Sequence, residues 1–313
     1  MNNRIQRKNP FWSLAGPLLG FLAIQGGVQF LIQLGMEMPY MMRAYDGLMR
    51  KAENGIVPSV REIGEVYVQA LEPALKLIAA HRIEIAAVSA LATVILTGIL
   101  FARDRRLERQ CGIALPQKAS ISKYWTLLVF GIAGSIAATC LMTMVQLAFY
   151  DAGYQQTAEV MYSAGLPVQI VGLGIVIPVS EELMFRGILY KRLRERQTFW
   201  YAAVWSAVLF AFMHSNTTQV IYAFLLGVML SFAYEKFGSF KAPVLLHVLM
   251  NTASVILTET GVFGWMAADP IRMAGAVIAG AFICSVMFVL IQRMEGGILS
   301  DSSRKDDGSS DMF

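Results

Sequence analysis

Eight stretches of this 313-residue chain are apolar over roughly the length that crosses a lipid bilayer, and one of them contains two carboxylates and a guanidinium. A hydrocarbon core offers no water to free peptide groups, so it is crossed by about 20 mostly apolar residues in helical form. The stretches run over 11–34, 84–102, 124–150, 166–190, 199–215, 218–235, 242–259 and 272–292. The fifth is short, and "SNTTQ" at 215–219 is the visible break between it and the sixth. With 56% hydrophobic and only 15% charged residues, against about 25% charged in soluble proteins, the chain carries more apolar surface than a soluble core can hide. The predicted fold is all-α, a polytopic transmembrane bundle of about eight spans in contact with the lipid bilayer.

Positive charge orients such a bundle, because cytoplasmic connections collect Lys and Arg. With the N-terminus in the cytoplasm, 18 of the 26 Lys and Arg residues fall in the N-terminal tail, the 103–123, 191–198 and 236–241 connections and the C-terminal tail, and seven fall on the other side. Both termini are therefore predicted cytoplasmic. The net charge of +4 follows from this bias and requires no nucleic-acid partner. Cys111, Cys140 and Cys284 show neither disulfide nor metal spacing. The first apolar run lacks a small-residue cleavage pattern, so it reads as a span rather than a leader. The compact length and the lack of eukaryotic targeting signals point to a bacterial inner (plasma) membrane.

Three regions follow. Residues 1–120 carry two spans, an outer segment over 35–83 and a basic cytoplasmic loop; residues 121–295 hold the remaining spans and the chemistry; residues 296–313 read as a polar, disordered cytoplasmic tail. In the outer segment, Ser59 and Glu62 have capping-box spacing and predict the start of an amphipathic helix.

Ionisable residues inside a bilayer cost about 2.5–3.5 kcal/mol each on insertion scales, so they persist where they pair or serve a site. In "VSEELMFRGILY" (179–190), Glu182 and Arg186 are four residues apart and share a helix face. Glu181 lies about 100° round the helix and is left as the free carboxylate. Pro178, just upstream, is expected to open the helix. Downstream, "FAFMH" places Phe210 and His214 on one face, and "HVLMN" does the same for His247 and Asn251. Counted from the cytoplasmic edge, Glu181 falls about 15 Å deep, His214 about 22 Å and His247 about 9 Å, so the three can meet. A carboxylate, two imidazoles and a carboxamide form a plausible hydrolytic set: a base and a histidine to activate water, and donors for an oxyanion. No serine or cysteine stands in a nucleophile motif. A proton relay in a transporter is the lesser alternative for the buried Glu and His residues, and no repeat symmetry supports it.

The ordered trio EELMFR, FAFMH and HVLMN closely resembles the CPBP (Abi) family of CAAX proteases and bacteriocin-processing enzymes, whose EExxxR, FxxxH and HxxxN motifs lie on successive transmembrane helices. The match covers 181–251 and extends to a four-helix core over about 166–260, making 121–295 a CPBP-like peptidase domain. The resemblance implies an intramembrane glutamic endopeptidase acting on membrane-associated, possibly prenylated, peptides or proteins. In it Glu181 and His214 would activate water, His247 and Asn251 would form the oxyanion hole, and Glu182, Arg186 and Phe210 would support the site. It implies no required cofactor; in the zinc alternative, Glu181, His214 and His247 would be the ligands. The family also allows a non-proteolytic immunity or scaffold protein. The basic run at 191–196 is read first as a topology signal and second as an attractor of anionic lipid or a substrate tail. Gly227, Gly275 and Gly280 are expected at close helix contacts.

Overall fold

The computed structural model describes Ile5, Arg7 and residues 9–113, 116–214 and 216–294. Among the described residues there is no strand, and the chain is a bundle of helices. In chain order these are α1 (Pro10–Glu53), α2 (Val60–Ala80), α3 (Arg82–Gln110), α4 (Trp125–Ala148), α5 (Ala152–Met161), α6 (Leu166–Arg194), α7 (Phe199–Ala211), α8 (Thr217–Phe237), α9 (Lys241–Glu259), α10 (Val262–Ala267) and α11 (Pro270–Gln292). The expected tail over 296–313 lies outside the described residues.

Seven of these helices are long and apolar enough to cross a membrane, and the first correction is to the length of the eighth expected span, which is present as a shorter apolar helix. The exception is α7, whose 13 residues rise only about 20 Å against a hydrocarbon core of about 30 Å. It ends because the chain turns at Phe212, ahead of the polar break. Asn216 then caps α8 by accepting a hydrogen bond from the Gln219 amide at 2.9 Å. Helices α7 and α8 pack as a hairpin at Gly227.

A second correction concerns residues 35–53, expected in an outer segment and found within α1. Its 44 residues, about 66 Å long, overrun the bilayer. Nothing stops it before Asn54–Gly55, where Gly55 takes a left-handed φ of 78° and closes the helix with Ile56 N–H donating to Lys51 O. The capping box at α2 is present: Glu62 N–H donates to Ser59 Oγ and Ser59 N–H donates to the Glu62 carboxylate at 2.7 Å. These bonds hold the Glu62 carboxyl below the usual carboxylate range. Only Ala74 of α2 is buried, and the helix packs against α1.

A third correction concerns Pro178, which does not open α6. The helix runs through it because its turns widen on either side, to i→i+5 spacing over Ile170–Val176 and Leu183–Tyr190. Shifting the register redistributes the carbonyls that a missing N–H would otherwise leave unpaired.

One end of the bundle gathers the basic connections. Arg192 donates to Asp104 at 2.7 and 3.1 Å; Arg7 bonds Asp104 at 3.2 Å and Glu195 at 2.6 Å. Lys191 pairs with Glu108, and Arg194 with Glu235 at 2.6 Å. Lys236 reaches Gln292 O, and Ala119 N–H donates to Phe237 O. Residue 7 and the C-terminal ends of α3, α6, α8 and α11 thus share one face, with α2, α5 and α10 towards the other. Within the basic run at 191–196, Lys191, Arg192 and Arg194 pair with carboxylates of the protein.

Of the three glycines expected at helix contacts, Gly227 and Gly280 stand at them and Gly275 does not. A Cβ on Gly227 would sit 2.8 Å from Ala207 Cβ and 3.0 Å from Arg186 Nη2, whereas one on Gly275 would meet nothing within 4 Å. Gly227→Ala is therefore expected to destabilise the detergent-solubilised protein by about 1–3 kcal/mol, and Gly275→Ala to leave it unchanged. Equal thermal midpoints for the two variants would contradict this packing.

Candidate active site

The three motifs converge at the centre of the bundle. Helix α6 presents Glu181, Glu182 and Arg186; the end of α7 presents Phe210 and His214; α9 presents His247 and Asn251. The α6 face is set by a short α-register stretch, Ile177–Glu182, followed by the widened turn that carries Arg186.

Glu182 and Arg186 are both fully buried, and Arg186 Nη1 donates to Glu182 Oε1 at 2.8 Å. The pair expected from i,i+4 spacing is therefore made, but it is not self-contained. Arg186 Nη2 donates to Gly227 O at 3.0 Å, and its guanidinium lies 4.6 Å from the centre of the Phe210 ring. Glu182 Oε1 also contacts His247 Nδ1 at 2.9 Å. Since a carboxylate can only accept, Nδ1 is the donor. This fixes the imidazole and turns Nε2 toward Glu181, whose Oε2 lies 3.8 Å away. Glu181 keeps 21% of its side chain exposed, while Glu182 has none. The difference in environment expected between adjacent carboxylates is thus realised in space.

Phe210 does more than fill space. Its ring meets His214 edge-on at 5.2 Å, His247 at 5.8 Å and Phe185 at 5.2 Å, so it separates the two imidazoles and shields Arg186. His214, one residue into the turn that follows Phe212–Met213, places Nδ1 3.2 Å from Phe210 O. It stands within electrostatic reach of Glu181, as does His247. Asn251, one turn beyond His247, donates through Nδ2 to Leu173 O at 3.1 Å, and an amide nitrogen has a second hydrogen to give.

Sequence reading missed the backbone that receives these groups. Thr252 Oγ1 donates to Gly174 O at 3.3 Å, and a Cβ on Gly174 would lie 2.7 Å from that oxygen, so α6 and α9 approach closely only because residue 174 is glycine. The "VGLG" of 171–174 was the available signal. Among the described residues, no three His, Cys, Asp and Glu side chains stand as a group that could hold a metal ion.

Beside Asn251 lies a cavity of about 140 Å³, bounded by α4, α5, α6, α8 and α9.

Comparison with known proteins converges on the same segment. Residues 163–253 match the family model described as type II CAAX prenyl endopeptidase Rce1-like. Over 118 residues the chain is 28% identical to YdiL of Bacillus subtilis (strain 168), named as a candidate membrane peptidase; the match covers 38% of this chain and 48% of that one. It is 25% identical over 175 residues to the membrane-embedded CAAX protease MroQ of Staphylococcus aureus (strain USA300), covering 52% of this chain and 68% of MroQ. An uncharacterised 24.3 kDa protein of Escherichia coli is 34% identical over 87 residues, 26% of this chain and 40% of its own length. The chain thus spans about half or less of the length of two of these three relatives. No solved structure matches it.

Proposed function

Through residues 163–253 this chain belongs to the CPBP family of membrane proteins, and from that premise we propose that it is an intramembrane endopeptidase in a bacterial membrane. It hydrolyses a peptide bond of a membrane-associated substrate with an activated water. The carrying observation is the Arg186–Glu182–His247 relay, which ends 3.8 Å from the partly exposed carboxylate of Glu181.

The roles follow from what each group can give. Glu181 has an oxygen available to take a proton from water, and His214 shares that work from the other side of Phe210. His247 holds its Nδ1 proton on Glu182; when Nε2 is protonated as well, the ring is an imidazolium stabilised by that carboxylate, and Nε2–H can donate to a developing oxyanion. Asn251 supplies the second donor from its remaining amide hydrogen. Arg186 supplies the countercharge to Glu182 and holds it in place. The proposal involves no metal.

The test is cleavage of a fluorogenic membrane-peptide library by the purified full chain and by its His214→Ala and His247→Ala variants, with and without a strong chelator. The wild type is expected to cleave at the same rate with chelator, and each variant to lose about 10²–10⁴-fold. Loss of activity on chelation, restored by zinc, would replace this reading with a metal-dependent one. A wild type that cleaves nothing would overturn it in favour of a non-proteolytic immunity or scaffold role.

A further inference from the structure

The site is closed on the basic side and open on the other. Beneath Glu182 and Arg186, towards the Lys- and Arg-rich face, stand Phe185, Ile188, Leu189, Tyr190 and Phe237, all 0% exposed, with Tyr234 at 4%. Below them Tyr190 donates to Glu235, and the Arg7–Asp104–Arg192, Lys191–Glu108 and Arg194–Glu235 pairs close the end of the bundle.

Towards the opposite face, the cavity beside Asn251 is floored by Asn251 and Leu173. Its wall is made by the start of α8 (Thr218, Gln219), the end of α5 (Tyr162) and the last turns of α9 (Ser254). It shares Met142 and Thr218 with a wider recess of about 650 Å³ beneath the Phe149–Gly153 connection, at the same end of the bundle. The two together form a route from that face to Asn251, with His247 one helical turn deeper.

The chemistry of the cavity selects what can enter. Among the described residues its lining holds no Lys, Arg, Asp, Glu or His, and it combines hydroxyls and carboxamides with Met142, Met161 and Val255. Ser135 lines it at 2% exposure, and its buried hydroxyl has no hydrogen-bond partner. Leaving a buried hydroxyl unpaired is unfavourable, and a ligand that bonds it removes that penalty. Neutral donors and acceptors interleaved with apolar side chains suit a peptide backbone and small apolar residues. A free carboxylate terminus, or a flanking Asp or Glu, would find no countercharge among the described lining residues, and the recess at the entrance adds the carboxylate of Asp151.

We infer that the substrate reaches the active site from the membrane face opposite the basic one, the extracytoplasmic face by the positive-inside bias, as an internal, uncharged, extended stretch of polypeptide. The inference rests on the peptidase reading for its function, while its route and its chemistry are tested separately.

For the route, Cys111, Cys140 and Cys284 are replaced by Ser and single cysteines introduced as Gln219→Cys in the cavity, Val57→Cys between α1 and α2, and Gln197→Cys between α6 and α7. Intact cells are exposed to a membrane-impermeant maleimide, then permeabilised and exposed again. Positions 219 and 57 are expected to label in intact cells and 197 only after permeabilisation. Labelling of 219 only together with 197, or from neither side, overturns the route whether or not the chain cleaves peptides. For the chemistry, the purified protein is given a cleavable neutral peptide and the same peptide with Asp on both sides of the scissile bond. The neutral peptide is expected to have a kcat/KM at least about tenfold higher, and Ser135→Ala to lower kcat/KM for it. Equal rates for the two peptides overturn the neutral-segment reading. If the library yields no cleavable peptide, the peptidase reading fails, and with it the chemistry; the labelling result still decides the route.

Discussion

Replacing Glu181 with Gln is expected to abolish peptide hydrolysis, by about 10²–10⁴-fold or more, while leaving the fold and the thermal midpoint near wild type. Glutamine keeps the shape and the partial exposure of the side chain but cannot take a proton from water. The neighbouring Glu182 cannot substitute, because Arg186 and His247 both occupy its Oε1 and it is fully enclosed. Single-turnover cleavage by the purified chain measures this. Activity within a factor of about three of wild type would remove Glu181 from the mechanism, and with it the glutamic reading.

Arg186→Met is expected to have the largest effect on stability. It strips the countercharge from a fully buried carboxylate, along with the hydrogen bond to Gly227 O and the contact with the Phe210 ring. Breaking one half of a buried ion pair costs about 3–5 kcal/mol, because the surviving charge stays enclosed. The double variant Glu182→Met, Arg186→Met removes both charges and should recover most of that loss. It should nevertheless remain inactive, because His247 has lost the carboxylate that holds its Nδ1 proton. Thermal denaturation in detergent combined with the cleavage assay separates the two effects. A single variant as stable as wild type would show that the pair carries no structural weight, and an active double variant would release His247 from its dependence on Glu182.

The features legible in the sequence were those set by residues close together in the chain. Long apolar runs marked the spans, i,i+4 spacing paired Glu182 with Arg186, and Ser59 with Glu62 marked the start of α2. The three motifs picked out side chains that the fold does bring together. What stayed hidden depends on partners far away in sequence or on backbone register. His247 bonds Glu182 across 65 residues, and no local window shows that the Glu182–Arg186 pair has a third member. The widened turns of α6 leave no compositional mark beyond its glycines, so Pro178 read as a break. The extension of α1 to Glu53 was concealed by a shift from apolar to polar composition, which ends a membrane span without ending a helix. The short α7 was masked in the opposite way, since apolar residues continue past the turn at Phe212.

The clamp of Arg7, Asp104, Arg192 and Glu195 also bears on the order of events during synthesis. Arg7 and Asp104 are made early and can already hold each other, while Arg192 and Glu195 emerge some ninety residues later. The first helices can therefore enter the membrane as a loose group, to be fastened only when the end of α6 arrives. By then the segment bearing Glu181, Glu182 and Arg186 is also complete, whereas α7 and α9, with both active-site histidines, are still to come. The ribosome thus delivers a tied platform first, and Phe210, Gly227 and His247, the later partners of Glu182 and Arg186, are added onto it afterwards.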